Sequence, residues 1–324
     1  MTLPTALVMH EACALHDTGW QHPEHQGRLP AIINALYKDT PDLQDVVLQL
    51  EGGMLAEADM SLVHVRPMID MLILAREQAR RTGQSVPLDA EETMMSPVSW
   101  DAMLAAAGSV VTACESVIDG RARNGFALAR PPGHHATPNK SMGFCLINNV
   151  AIAARTLQQK HGIERVLIID WDVHHGNGTQ DIFYDDASVY FMSFHQYPWY
   201  PGTGARQETG AGDGVGATRN VPLAAGTTGA QFRELFQREL DAALHDFAPG
   251  FVLVSAGFDC LRDDPLGQLL LEPADLHHAT TYLMQAVPSG TGIVHTLEGG
   301  YNPPRVGAGV VDVVRALAGL PTKS

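Results

Sequence analysis

The chain has 324 residues, 45% hydrophobic and 18% charged, a globular composition with enough apolar surface for a large core and no signature of disorder. Lys and Arg number 21 against 36 Asp and Glu, a formal charge of −15 that repels phosphate backbones and anionic lipid. Nucleic-acid and membrane-surface binding are therefore disfavoured, and a cationic substrate suits the charge better.

In chain order, the spacing predicts a strand over 6–10, helices over 29–37, 68–81 and 100–119, a strand over 125–129 and a helix over 148–160. Strands over 166–170 and 189–194 follow, then a helix over 230–247, a strand over 251–255, a helix over 273–287 opening on Pro273, and a strand over 292–297. This βα alternation predicts an α/β protein, a three-layer open parallel sheet with helices on both faces. Neither a repeat nor a linker-like segment divides the chain, so one domain over 1–324 is expected. A Gly-rich stretch from His195 to about Arg219 lacks the G-x-G-x-x-G spacing and leads into Asn220-Val221-Pro222, so it is read as a structured surface loop.

Cys13, Cys114, Cys145 and Cys260 stand far apart without a C-x-x-C spacing, and reduced structural thiols are expected. The beginning lacks the basic stretch and apolar run of a signal peptide, and no run approaches about 18 consecutive apolar residues. The expectation is a soluble, cytoplasmic protein. Met54, Met60, Met68 and Met71 are read as packing residues.

In open α/β sheets ligands bind beyond the carboxyl ends of the strands. The predicted strand ends carry Pro131-Pro132-Gly133-His134-His135, the segment from Asp170 to Asn177, His195, Asp259, and Glu298-Gly299-Gly300-Tyr301. If the strand conformation persists past Asp170, Asp172 and His174 point to one face and can share a metal, with Asp259 as third ligand. Two carboxylates and one imidazole suit Zn²⁺ or another first-row divalent ion with open coordination. Asp170 can accept from one imidazole of the His134-His135 pair and hold it charged. Asn177 can orient the other without adding charge, leaving it neutral and fit to be a base near pH 7.

These motifs resemble the zinc-dependent histone deacetylase family. The resemblance rests on Arg130-Pro-Pro-Gly-His-His-Ala136, Gly143-Phe144-Cys145, Ile169-Asp-Trp-Asp-Val-His-His-Gly-Asn-Gly178, Ser255-Ala-Gly-Phe-Asp259 and Leu297-Glu-Gly-Gly-Tyr301. His22-Pro23-Glu24 and Arg28 extend it toward the beginning of the chain. Asn177 and the Glu298-Gly-Gly-Tyr form look like the class II branch and its bacterial amidohydrolase relatives.

The resemblance implies an arginase/deacetylase fold, one Zn²⁺ on Asp172, His174 and Asp259, and removal of acetyl or other acyl groups from lysine side chains by metal-activated water. It implies His135 as general base and then acid, His134 as its electrostatic partner, and Tyr301 as the hydroxyl that polarises the carbonyl. Gly143 and Phe144 would wall a tunnel opposite Tyr200, or Trp199 in its place, with Leu266 and Glu91 or Glu92 at the rim. Arg28 resembles the arginine of an internal acetate-release channel, with a salt bridge at a helix start as the other reading. A K⁺ or Na⁺ ion near Asp170, Asp172, His174, Ser193 and Phe194 is implied as a structural element. His16, His22, His25, His277 and His278 match no such spacing and are read as surface or capping residues.

The implied partner is an acyl-lysine protein or peptide, and the oligomeric state stays open. An acetylpolyamine is the first alternative, which Leu266 disfavours because polyamine-selective relatives resemble this segment with Glu there. A dinuclear manganese ureohydrolase would need carboxylates where Gly176 and Leu261 stand. A catalytically weak acyl-lysine-binding or scaffold module is the alternative of another class, although catalytic tyrosine and metal ligands are retained.

Overall fold

A computed structural model of the chain describes residues 3–90 and 93–323. Glu91 and Glu92, the expected rim acids, lie outside the described residues.

The described strands are β1 (Thr5–Met9), β2 (Val47–Glu51), β3 (Val86–Pro87), β4 (Met94–Met95) and β5 (Asn124–Ala127), followed by β6 (Val166–Asp170), β7 (Val189–Gln196), β8 (Thr218–Leu223), β9 (Phe251–Ala256) and β10 (Gly292–Leu297). Eight of them form one parallel sheet in the order β2-β1-β5-β10-β9-β6-β7-β8, and β3 and β4 pair as a small antiparallel ribbon. The sequences VLIID of β6 and FVLVSA of β9 are buried at every residue, as a parallel sheet covered on both faces requires. Asp170, the last residue of β6, stands in register with Ser193 of β7 and Ser255 of β9, so these three side chains lie level near the carboxyl edge of the sheet.

The helices are α1 (Arg28–Lys38), α2 (Thr40–Leu43), α3 (Arg66–Thr82), α4 (Ser99–Ile118) and α5 (Asn149–His161), then α6 (Asn177–Phe183), α7 (Gly229–Asp246), α8 (Pro273–Ala286) and α9 (Pro303–Leu317). α4 and α5 pack together over the sheet, and α7, α8, α9 and α1 pack in succession. α4 is long and apolar enough to cross a bilayer, but it is mostly buried, packed against β1, β5 and β10. Asn148 caps α5, its side-chain oxygen accepting from Ala151 N at 3.0 Å.

The expected strands and helices are present, with ends shifted by up to two residues. β2, β3, β4, β8, α2, α6 and α9 are additional. β7 runs on to Gln196 and β8 begins at Thr218, which trims the expected loop at both ends. All four cysteines are free and buried.

Candidate active site

β5, β10, β9, β6 and β7 are consecutive neighbours in the sheet, and the loops after the first four deliver the chemistry. The chain leaves β6 at Asp170 and bends. The strand does not continue to 174, so the alternation expected there fails. Convergence comes instead from the bend, where Asp172 N donates to Asp170 Oδ1 at 3.0 Å and His174 N to Asp172 Oδ1 at 2.9 Å. Beyond β9, Asp259 Oδ1 accepts from Val173 N at 2.8 Å, tying the third carboxylate to the same bend.

His174 Nδ1 lies 3.1 Å from Asp172 Oδ1 and 3.2 Å from Asp259 Oδ2, and the three residues are buried. Their donor atoms all lie within 4.8 Å of one another. Asp259 Oδ2 is buried without an aligned hydrogen bond. Burial, and then the Asp172 charge beside it, push the Asp259 carboxyl up to about 7. A divalent cation would serve that oxygen and balance both carboxylates, so the donor set fits such an ion. Glycines make the room: a Cβ at Gly257 would lie 2.1 Å from Asp172 Oδ2, and one at Gly299 2.2 Å from Asp259 Oδ2.

His134, Cys145 and Glu298 also lie close enough together to share an ion. They are otherwise engaged. Glu298 accepts from Gly133 N at 2.7 Å, from His134 N at 3.2 Å and from the Ser255 hydroxyl at 3.0 Å. Burial pushes the Cys145 thiol well up, so it stays protonated.

The two imidazoles differ as their partners dictate. His134 Nδ1 lies 2.9 Å from Asp170 Oδ2, and His135 Nδ1 lies 2.8 Å from Asn177 Oδ1, with ring centroids 4.0 Å apart. Burial pulls the His134 pKa down, but the Asp170 and Asp172 carboxylates outweigh it and hold the ring at about 10. For His135, burial and then the neighbouring His134 and His174 charges push the pKa well down. At neutral pH the pair is one imidazolium and one free base.

Above these groups lies a cavity of about 290 Å³ lined by His135, Gly143, Phe144, His174, Trp199, Tyr200, Pro265, Leu266 and Tyr301. Both Trp199 and Tyr200 contribute to the wall. The Tyr200 ring stands edge-on to His135 at 5.2 Å, and Phe144 edge-on to Tyr301 at 5.9 Å. Gly143 has φ +57, and a Cβ there would lie 2.4 Å from His135 Cδ2, so only glycine lets the wall approach the imidazole. Burial, and then the Asp259 charge, hold the Tyr301 phenol well above its ordinary pKa and therefore protonated.

A family model described as the histone deacetylase domain matches residues 22–317. The chain belongs to the histone deacetylase family. It is 38% identical over 312 residues to histone deacetylase 10, chloroplastic, of Oryza sativa subsp. japonica, covering 93% of this chain and 70% of that one. A probable deacetylase of Archaeoglobus fulgidus is 35% identical over 301 residues, covering 92% and 81%. The crystal structure of the HDA15 HD domain superposes with a TM-score of 0.90 at 35% identity, covering all of this chain and 90% of that one. As a histone deacetylase family member, the chain is a hydrolase acting on amides.

Within this histone deacetylase fold, several outlying expectations change. Arg28 makes the salt bridge at a helix start. It opens α1 and pairs with Glu24 at 2.9 Å, yet it is fully buried, donates to Gly300 O at 2.6 Å and lies 5.2 Å from the Tyr301 ring centre. His16 and His22 are buried, not on the surface, because the Glu24, Arg28 and Arg130 ion pairs draw this segment inward, while His22 Nδ1 accepts from Glu24 N at 3.1 Å as the capping reading has it. His195 does not reach the cavity. It bonds Ser193 and Gly204 and lies tilted against the His175 ring, supporting the Gly-rich loop. Two contributors went unassigned: Glu298, and Asp264, whose carboxylate accepts from Leu266 N at 2.9 Å and Tyr301 N at 2.7 Å. Both act on backbone amides; Glu298 directly follows β10, whereas nothing in the sequence pointed to Asp264.

Proposed function

We propose that this family member is a single-domain, zinc-dependent amidohydrolase that removes acetyl or other acyl groups from lysine side chains of proteins or peptides. The observation that carries the reading is the cavity walled by Phe144 and Tyr200, which ends on His135, His174 and Tyr301. A lysine stem is a narrow apolar rod, and aromatic walls suit it.

Zn²⁺ held by Asp172, His174 and Asp259 would lower the pKa of a water and polarise the amide carbonyl. His135 is the neutral base: with Nδ1 held by Asn177, its Nε2 takes the proton from the attacking water and later gives it to the departing lysine amine. His134 stays charged through Asp170 and supplies a positive field beside the oxyanion. The Tyr301 phenol donates to the carbonyl oxygen as it gains negative charge. A structural K⁺ or Na⁺ around Asp170 and Ser193 belongs to the same proposal.

The test is turnover of a fluorogenic acetyl-lysine peptide, lost on chelation and restored by one equivalent of Zn²⁺ per chain. Protein that binds that equivalent and releases no acetate overturns the proposal and points to an acyl-lysine-binding module. Acetylspermidine is assayed in parallel. Leu266 at the rim supplies no charge for a distal ammonium, so the peptide is the better substrate.

A further inference from the structure

Beside the catalytic cavity runs a larger groove of about 810 Å³, lined by the turn carrying Trp20 and His22 and by the β3–β4 ribbon with Pro87, Asp89 and Met94. Trp20 is 73% exposed at the tip of this turn. The turn is well built. Gly19 has φ +85, its N–H donates to Asp17 Oδ1 at 2.9 Å, His22 N donates to Gly19 O at 3.1 Å, and the Thr18 hydroxyl donates to Glu24 O at 2.8 Å. Glu24 is buried and paired with Arg28 and Arg130, so the turn is anchored in the interior. One side of the indole leans on His25, ring centroids 5.4 Å apart. A large aromatic held outward on an anchored turn is pre-organised for contact.

The groove and the catalytic cavity share a partition. His22 meets Phe144 edge-on with centroids 4.5 Å apart. On the far wall, the Asp89 carboxylate accepts from Thr93 N at 2.8 Å and the Thr93 hydroxyl at 2.7 Å, and that hydroxyl accepts from Phe144 N at 3.0 Å. An indole face and a carboxylate favour a cation. Among the described residues neither Lys nor Arg lines the groove, and the chain carries −15. An extended peptide advances about 3.3–3.6 Å per residue, so a neighbour one or two places from the acyl-lysine reaches across the partition.

We infer that this groove is a subsite for a Lys or Arg side chain one or two residues from the acyl-lysine of a peptide substrate, with Trp20 and Asp89 as its recognition elements. The inference rests on the acyl-lysine reading above.

The experiment compares acetyl-lysine peptides carrying Arg or Gln at each of the four flanking positions, with a single-residue acetyl-lysine substrate and acetylspermidine alongside. At one position the Arg peptide exceeds the Gln peptide in kcat/KM by roughly five-fold, the scale of one exposed cation–π contact with an added carboxylate. That ratio falls toward one in Trp20→Ala, and in the unaltered enzyme it shrinks as salt is raised. Equal turnover of Arg and Gln peptides at all four positions, or a ratio that survives Trp20→Ala, overturns the subsite. A preference for acetylspermidine that Trp20→Ala abolishes also overturns it, assigning the groove to a polyamine. Failure of zinc-loaded enzyme on the single-residue substrate overturns the acyl-lysine reading and the subsite together.

Discussion

Tyr301 shares a cavity with His135 and His174, and its phenol is kept protonated by burial and by the Asp259 charge. Tyr301→Phe removes one donor to the developing oxyanion, and kcat on an acetyl-lysine peptide falls by roughly 10²–10³. Metal content measured on the same preparation stays at the level of the unaltered enzyme. Asn177 makes a second prediction with a definite sign. Replacing its neutral amide by a carboxylate, Asn177→Asp, places a negative charge 2.8 Å from His135 Nδ1 and raises that imidazole's pKa. A base that protonates more readily is lost at higher pH, so the ascending limb of the kcat/KM profile moves toward alkaline pH.

At the scale of elements, the loop after β10 shapes the candidate metal site together with the proposed ligands. Gly299 N donates to Asp172 Oδ2 at 2.8 Å, and a Cβ at Gly299 would intrude on Asp259. Gly299→Ala therefore lowers bound Zn²⁺ well below one per chain while far-UV circular dichroism is unchanged. The strands whose ends build the site were legible because each is a short, continuous apolar run, the signature of a strand buried on both faces. β8 was not: TRNVPL carries Arg219, Asn220 and Pro222, and proline is tolerated because β8 stands at the edge of the sheet. α9 begins on two prolines and centres on Val310-Val311-Asp312-Val313-Val314, a β-branched run of poor helix propensity that packing against α1 and α8 overrides. The metal-ligand and imidazole motifs stood out through residue type. The roles of Asp264 and Glu298 did not, because most of their partners are backbone amides that become visible only when separate loops are brought together.

For the whole molecule, buried neutral histidines set an acid limit on stability. His64 is satisfied only when neutral: its Nδ1 lies 2.9 Å from Thr137 O, and its Nε2 accepts from Asn148 N at 2.9 Å. Burial lowers its pKa to about 4, and that of His295 to about 3. Unfolded imidazoles take up protons near their ordinary pKa of 6.5, so each group's contribution is complete above that pH. It is lost as pH falls toward 4, by up to about 1.4 kcal/mol per pH unit for each. Urea midpoints accordingly drop between pH 6.5 and 4.5, and His64→Gln makes the drop shallower.

The bend after β6, the loop after β9 and Gly299 after β10 meet around the Asp172, His174 and Asp259 donors, so the full ligand set exists only once distant parts of the chain have docked. Occupancy and folding then obey one mass-action law: ion at 100 times its dissociation constant adds about 2.7 kcal/mol to the folded state. Melting temperature rises with free Zn²⁺ and falls under chelation. Under the zinc proposal, the supply of trace metal around the protein governs how long each copy survives proteolysis, apart from whether it turns over substrate.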